Sequence, residues 1–131
     1  MSMQRKYSRQ RESIKSFLAG RFDHPTAETI YSCLREEQPH LSLGTVYRNL
    51  SLLTELGEIR KISTGDGPDH FDGDTSFHHH FICRQCHQVI DLRMENIDHV
   101  LQTAADNFSG QIDGYVTNFY GLCEDCCKKT N

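Results

Sequence analysis

An α+β chain of two small units is what this sequence predicts: a helical unit closed by a hairpin over residues 1–73, then a small α/β unit over 74–131. Three observations predict it. Apolar residues recur at helical spacing three times before Gly57, and an alternating run with a Gly/Asp-rich break follows. Five of the six cysteines fall after residue 82, in two Cys-x-x-Cys knuckles. The charge is divided as well. Residues 1–73 hold 10 Lys+Arg against 10 Asp+Glu, whereas 74–131 hold 4 against 8 and so carry the whole net charge of −4.

Ile14, Phe17 and Leu18 mark the first helix. Around it Arg5, Lys6, Arg9, Arg11, Lys15 and Arg21 face only Glu12, a one-sided charge typical of phosphate contact. Pro25-Thr26 opens the second helix, marked by Ala27, Ile30, Tyr31 and Leu34 with Glu28 in its first turn. Cys33, among these apolar neighbours, is expected to be a small core residue. The third helix has Ser42 as N-cap, an apolar stripe of Val46, Leu50 and Leu53, and Gly57 as its stop. It leaves Thr45, Arg48 and Asn49 off that stripe, with Tyr47 at the border. Glu58 to Ser63, a turn over Thr64 to Asp69, and His70-Phe71-Asp72 read as a hairpin. Three short helices and a two-stranded hairpin describe a winged helix-turn-helix, whose third helix enters the major groove of double-stranded DNA.

The second unit reads as a strand (77–83), a knuckle, a strand (88–92), a helix (96–107, marked by Ile97, Val100, Leu101 and Ala104) and a longer strand (112–120) running into the second knuckle. So small a unit buries little apolar surface alone and is expected to pair with a second copy of the chain. In a reducing compartment Cys83-x-x-Cys86 and Cys123-x-x-Cys126 hold metal, because each tight turn places two sulfurs on one tetrahedral ion. Cys127 is a spare that can exchange with Cys126. In a strand His78 and His80 share one face and His79 takes the other. With Asp72 before them and Asp91 after, they outline a nitrogen/oxygen site distinct from the thiolates. His40, His70, His79, His87 and His99 are left as surface residues, with His70 and His87 near enough to the ligands in sequence to substitute for one.

Several classes are excluded. With 37% hydrophobic and 24% charged residues, the chain is neither disordered nor membranous. No apolar h-region follows the basic N-terminus, so a cytoplasmic protein is expected and a secreted disulfide framework is disfavoured. A zinc deaminase needs His-x-Glu ahead of Pro-Cys-x-x-Cys, a pattern this sequence lacks. A zinc-stapled interaction module is the remaining rival, and the basic N-terminal run with Arg48-Asn49 argues against it.

Together, His24-Pro-Thr-Ala-Glu, Ser42-Leu-Gly-Thr-Val-Tyr-Arg-Asn-Leu50, Phe71-Asp72, His78-His-His-Phe-Ile-Cys83-x-x-Cys86, Val89-Ile-Asp91 and Tyr120-Gly-Leu-Cys123-x-x-Cys126 resemble the ferric uptake regulator (Fur) family of metal-sensing repressors. The resemblance implies a homodimer on a palindromic operator, a structural Zn(II) on Cys83, Cys86, Cys123 and Cys126, and a regulatory Fe(II) or Mn(II) on His24, Asp72, His78, His80 and Asp91. Asp91 looks like the peroxide-sensing PerR branch, where iron-uptake regulators carry Glu. That branch acts by Fe(II)-dependent oxidation of a ligand histidine, here His24 or His78, with hydrogen peroxide as the signal and no turnover. The alternative is a sensor of iron or manganese levels. Phe77 and Tyr115 stand where an accessory metal site would want histidines, Ser8-Arg9-Gln10-Arg11 replaces the family's Thr-Pro-x-Arg, and Gly44 stands for the usual Ala. For DNA, Arg48 is the first choice for a base edge and Tyr47 for a thymine methyl, with Thr45 and Asn49 beside them; Lys6 and Arg11 serve phosphates or the minor groove.

Overall fold

Ser8 starts the first helix by accepting the Arg11 N–H at 3.1 Å, one of the donors that a helix start leaves unsatisfied. In the computed structural model, which describes residues 8–65, 67–76, 78–94 and 97–129, the chain forms two units that divide after Ser76. The first holds α1 (Arg9–Leu18), α2 (Ala27–Leu34) and α3 (Leu43–Glu55), then a hairpin of β1 (Arg60–Ile62) and β2 (His70–Asp72). Thr26 and Ser42 cap α2 and α3 in the same manner, accepting from the N–H groups of Thr29 and Thr45. Gly57 takes the left-handed conformation, at φ +75°, that ends α3 and turns the chain into the hairpin.

The apolar stripes meet in one core. Ile14, Leu18, Ile30, Val46, Leu50 and Leu53 are each 1% exposed or less, and Ile59 and Phe71 add the hairpin to them. Gly73 follows β2 where the chain passes the end of α1; a Cβ there would stand 2.6 Å from the Leu18 carbonyl oxygen. Cys33 corrects the sequence expectation: it is exposed, not a core residue. It sits next to Leu34 on α2, and at roughly 100° per residue that step carries it out of the stripe.

The second unit contains β3 (His79–Cys83), β4 (Val89–Leu92), α4 (Asp98–Asp106), β5 (Asn118–Gly121) and a short α5 (Glu124–Lys129). Its sheet has the order β4-β3-β5, with β3 antiparallel to β4 and parallel to β5. The strand expected over 112–120 is confined to Asn118–Gly121; 111–117 has no regular structure. Asp113 and Gly114, both weak strand formers, interrupt that stretch. No described residue of α4 is buried, and Val100 is 44% exposed while Ile97 and Leu101 are half-buried, so the described residues cover the apolar stripe of α4 only in part. Among the described residues no helix is long and apolar enough to cross a membrane.

Because its side chain is fully enclosed, Leu50→Ala should destabilise the protein by about 2–5 kcal/mol in urea unfolding. Arg48→Ala, on the exposed side of the same helix, should stay within about 0.5 kcal/mol of the parent.

Candidate metal centres

β3 ends in Cys83, and the turn after it brings the chain back on itself. His87 adopts φ +67°, its N–H donates to the Cys83 carbonyl at 3.0 Å, and the Cys83 N–H donates to Gln88 at 3.0 Å. That turn sets Cys86 beside Cys83, whose sulfur accepts the Cys86 N–H at 3.4 Å. Parallel pairing puts Gly121 opposite Cys83, so Cys123 arrives just beyond and gives its own N–H to the same sulfur, also at 3.4 Å. Cys126 is carried in by α5. The four sulfurs all lie within 4.8 Å of one another. Cys86 and Cys123 are 3.8 Å apart, sulfur to sulfur. A disulfide would need about 2.05 Å. Four sulfurs around an ion with Zn–S bonds of about 2.3 Å are separated by roughly 3.8 Å, so the cluster fits a tetrahedral thiolate site. Cys127 is exposed, with its thiol directed at the Leu122 carbonyl, and Cys126 is the buried partner.

The sulfurs are not equivalent. N–H groups of Cys86 and then Cys123, aimed at the Cys83 sulfur, pull its pKa down to about 5. Burial, followed by the sulfurs of Cys123, Cys83 and Cys86, pushes Cys126 up to about 12. At Cys86 the Gln88 backbone contact lowers the pKa, but desolvation and the Cys83 and Cys123 sulfurs outweigh it and leave it raised. A divalent cation reverses these penalties by neutralising the crowded thiolates.

The second donor set of this unit lies across β3 and β4. Antiparallel pairing sets His80 opposite Asp91. One carboxylate oxygen, Asp91 Oδ1, is 3.0 Å from His78 Nε2 and 3.4 Å from His80 Nε2, and the two rings are 4.6 Å apart. Those spacings are what neighbouring ligands have around an ion with bonds of about 2.0–2.2 Å. His78 and His80 are buried; Asp91 is 13% exposed at its side chain. His79 points the other way, as alternation requires, but the surface expectation for it is corrected. It is 4% exposed, hydrogen-bonded to the Thr117 hydroxyl and stacked against Tyr115.

In the first unit His24 and Asp72 form a buried pair, with His24 Nε2 3.3 Å from Asp72 Oδ2. Asp72 closes β2 and its other oxygen accepts the Asp74 N–H at 2.9 Å. His24 precedes Pro25 with φ +48°, a conformation that costs a non-glycine residue about 1–3 kcal/mol and persists where its surroundings hold it. His70 also departs from the surface expectation: it is half-buried, and its Nδ1 lies 2.6 Å from the His24 carbonyl oxygen. His40, His87 and His99 are exposed. A lone histidine in a short strand carries no sequence signal of such a contact.

On α3, Tyr47 and Arg48 are exposed, while Thr45 and Asn49 are half-buried. Asn49 donates to the Thr45 carbonyl at 3.0 Å and Arg48 to the Thr45 hydroxyl at 3.0 Å. A Cβ on Gly44 would meet Arg48 at an ordinary 3.4 Å. Arg11 is half-buried on α1; Lys6 and Phe77 lie outside the described residues.

Since Cys126 and Cys86 are both held protonated at neutral pH, Zn²⁺ uptake at pH 7 should release at least the protons of those two thiols. An indicator dye in weak buffer measures them. Apparent zinc affinity should fall as pH falls, because protons compete for the sulfurs.

The Ferric uptake regulator family matches residues 2–113. The peroxide operon regulator of Bacillus subtilis (strain 168) is 36% identical over 122 residues, covering 93% of this chain and 84% of that protein. The peroxide-responsive repressor PerR of Staphylococcus saprophyticus is 35% identical over 120 residues, covering 92% and 81%. The ferric uptake regulator Fur of Helicobacter pylori shares the fold, with a TM-score of 0.82 at 22% identity over 93% of this chain and 82% of that one. By that match and those identities, the chain belongs to the ferric uptake regulator family and is a transcriptional regulator, not an enzyme.

Proposed function

We propose that this family member is a metal-dependent repressor that responds to peroxide. Zn(II) is its structural ion, on Cys83, Cys86, Cys123 and Cys126. Fe(II) or Mn(II) is its regulatory ion, on His24, Asp72, His78, His80 and Asp91. The observation that carries the reading is Asp91: an aspartate, not a glutamate, offers one oxygen to both His78 and His80. Two relatives of this chain are named for their response to peroxide, which supports it further.

Three imidazoles and two carboxylates, with no sulfur among them, suit Fe(II) and Mn(II). Each unit offers only part of that set, His24 and Asp72 from the first and the remaining three from the second. An ion that takes all five favours the arrangement of units that completes its ligands, and a ligand shifts a population toward the state it binds better. Coupling of this kind is typically about 1–3 kcal/mol, or roughly 5–150-fold in DNA affinity.

Fe(II) held by His24, Asp72, His78, His80 and Asp91 would supply the redox chemistry that activates peroxide beside the ligand imidazoles. His24 or His78 would gain the one oxygen atom, the other oxygen of the peroxide leaving as water; once oxidised, that residue would no longer complete the ligand set, and the DNA would be released. Arg48 and Tyr47 read base edges, assisted by Thr45 and Asn49, while Lys6 and Arg11 hold phosphates or the minor groove. A second copy covers apolar side chains that the second unit leaves exposed, Val100, Val116 and Phe119 among them. Two arms one helical turn apart then require a palindromic operator. The cytoplasm is the compartment that fits a DNA-bound regulator with reduced cysteines.

Fluorescence anisotropy on operator DNA, run with Mn(II) and with Fe(II) before and after peroxide, tests this. Both metals should support binding, and peroxide should abolish it only with Fe(II). Mass spectrometry should then find about 16 Da, one oxygen atom, added to a peptide bearing His24 or His78. Unchanged binding by the Fe(II) form after peroxide would instead mark a sensor of metal levels.

A further inference from the structure

His70 is outside the five-residue ligand set, yet its ring holds the turn that carries His24. Resting on the regulatory site proposed above, we infer that His70 is a positioning residue for that site, fixing His24 through its backbone. The contacts come from consecutive residues of β2. His70 Nδ1 lies 2.6 Å from the His24 carbonyl oxygen. The Phe71 N–H donates to the Pro25 carbonyl at 2.9 Å, and Thr26 bridges to His70 as an isolated β-pair. Asp72 then meets His24 Nε2 at 3.3 Å.

Alternation along the strand explains the division of labour. Phe71 turns into the core, 4% exposed, so His70 and Asp72 share the opposite face. One strand face therefore grips His24 twice, His70 at its carbonyl and Asp72 at its imidazole. A carbonyl oxygen only accepts, so His70 must carry its proton on Nδ1. The residue so held is the one at φ +48°. A left-handed backbone is uncommon outside glycine, with asparagine, aspartate and histidine the residues that tolerate it best, and at His24 it is held by that restraint. Without it His24 relaxes, and its imidazole no longer meets Asp72 from the direction an ion requires.

Groups that orient a metal ligand typically contribute about 10–100-fold to metal affinity. The test is Mn²⁺ titration of the zinc-loaded full chain, read from the disappearance of the free-Mn²⁺ electron paramagnetic resonance signal. His70→Phe keeps the bulk but removes the donor and should weaken Mn²⁺ binding about tenfold or more. His70→Asn places an amide N–H near Nδ1 and should recover most of that loss, a rescue that a purely space-filling role does not give. In the metal-free protein, long-range ¹⁵N–¹H spectra should find His70 protonated on Nδ1. Parental affinity in His70→Phe, no recovery in His70→Asn, or a proton on Nε2 alone overturns the inference. His24→Ala, run alongside, separates the two levels. If it binds Mn²⁺ like the parent, the regulatory site itself is wrong; if it loses Mn²⁺ while His70→Phe does not, only the positioning role is.

Discussion

Strand β3 is paired on both sides, and the chemistry of the second unit depends on that double register. Antiparallel pairing with β4 sets His80 opposite Asp91, and parallel pairing with β5 sets Cys83 opposite Gly121. Side chains alternate along a strand, so a slip of one residue would turn His80 away and present His79 in its place. A slip against β5 would likewise draw Cys83 away from the second knuckle. The register is held by backbone as well as by side chains. Cys83 and Arg84 donate to Gln88 and Gly121, and on the reverse face His79 is fastened to Thr117 and stacked on Tyr115. A five-residue strand thus serves an oxygen/nitrogen donor set along its length and a thiolate set at its end.

The first unit repeats that economy on β2. Phe71 joins a core whose helices are set by the stripes of α1, α2 and α3, while His70 and Asp72 face the His24 turn. Helix packing therefore fixes the strand, the strand fixes the turn, and the turn presents the imidazole. The same packing leaves Tyr47 and Arg48 on the outer side of α3, where a helix that enters a DNA groove needs its contacts. The basic N-terminal run belongs to this unit and the net acidity to the other. An overall charge of −4 therefore says little about where a polyanion binds.

The elements with strong local signals were legible from sequence. The Pro25-Thr26 opening, the cap at Ser42, the stop at Gly57 and the apolar spacing marked α2 and α3, and the alternation of His78, His79 and His80 marked the two faces of the sheet. The misread features depend on neighbours that spacing does not encode. Val116 reads as strand by propensity, but 111–117 does not enter the sheet, and only Asn118–Gly121 does. Cys33 has apolar neighbours in sequence but is exposed in space. His70 and His79 look like surface histidines because their partners, the His24 carbonyl and Thr117, lie 46 and 38 residues away. The thiolate cluster was readable because its spacing is its chemistry: each Cys-x-x-Cys folds into one turn whatever the rest of the chain does.

One short chain thus offers two chemically separate donor sets, one all sulfur and one all nitrogen and oxygen. X-ray absorption at the zinc and manganese edges of protein loaded with both metals tests it most directly. The zinc edge should show four sulfur neighbours at about 2.3 Å and the manganese edge nitrogen and oxygen neighbours only. Nitrogen or oxygen in the first shell of zinc, or sulfur in that of manganese, would contradict it.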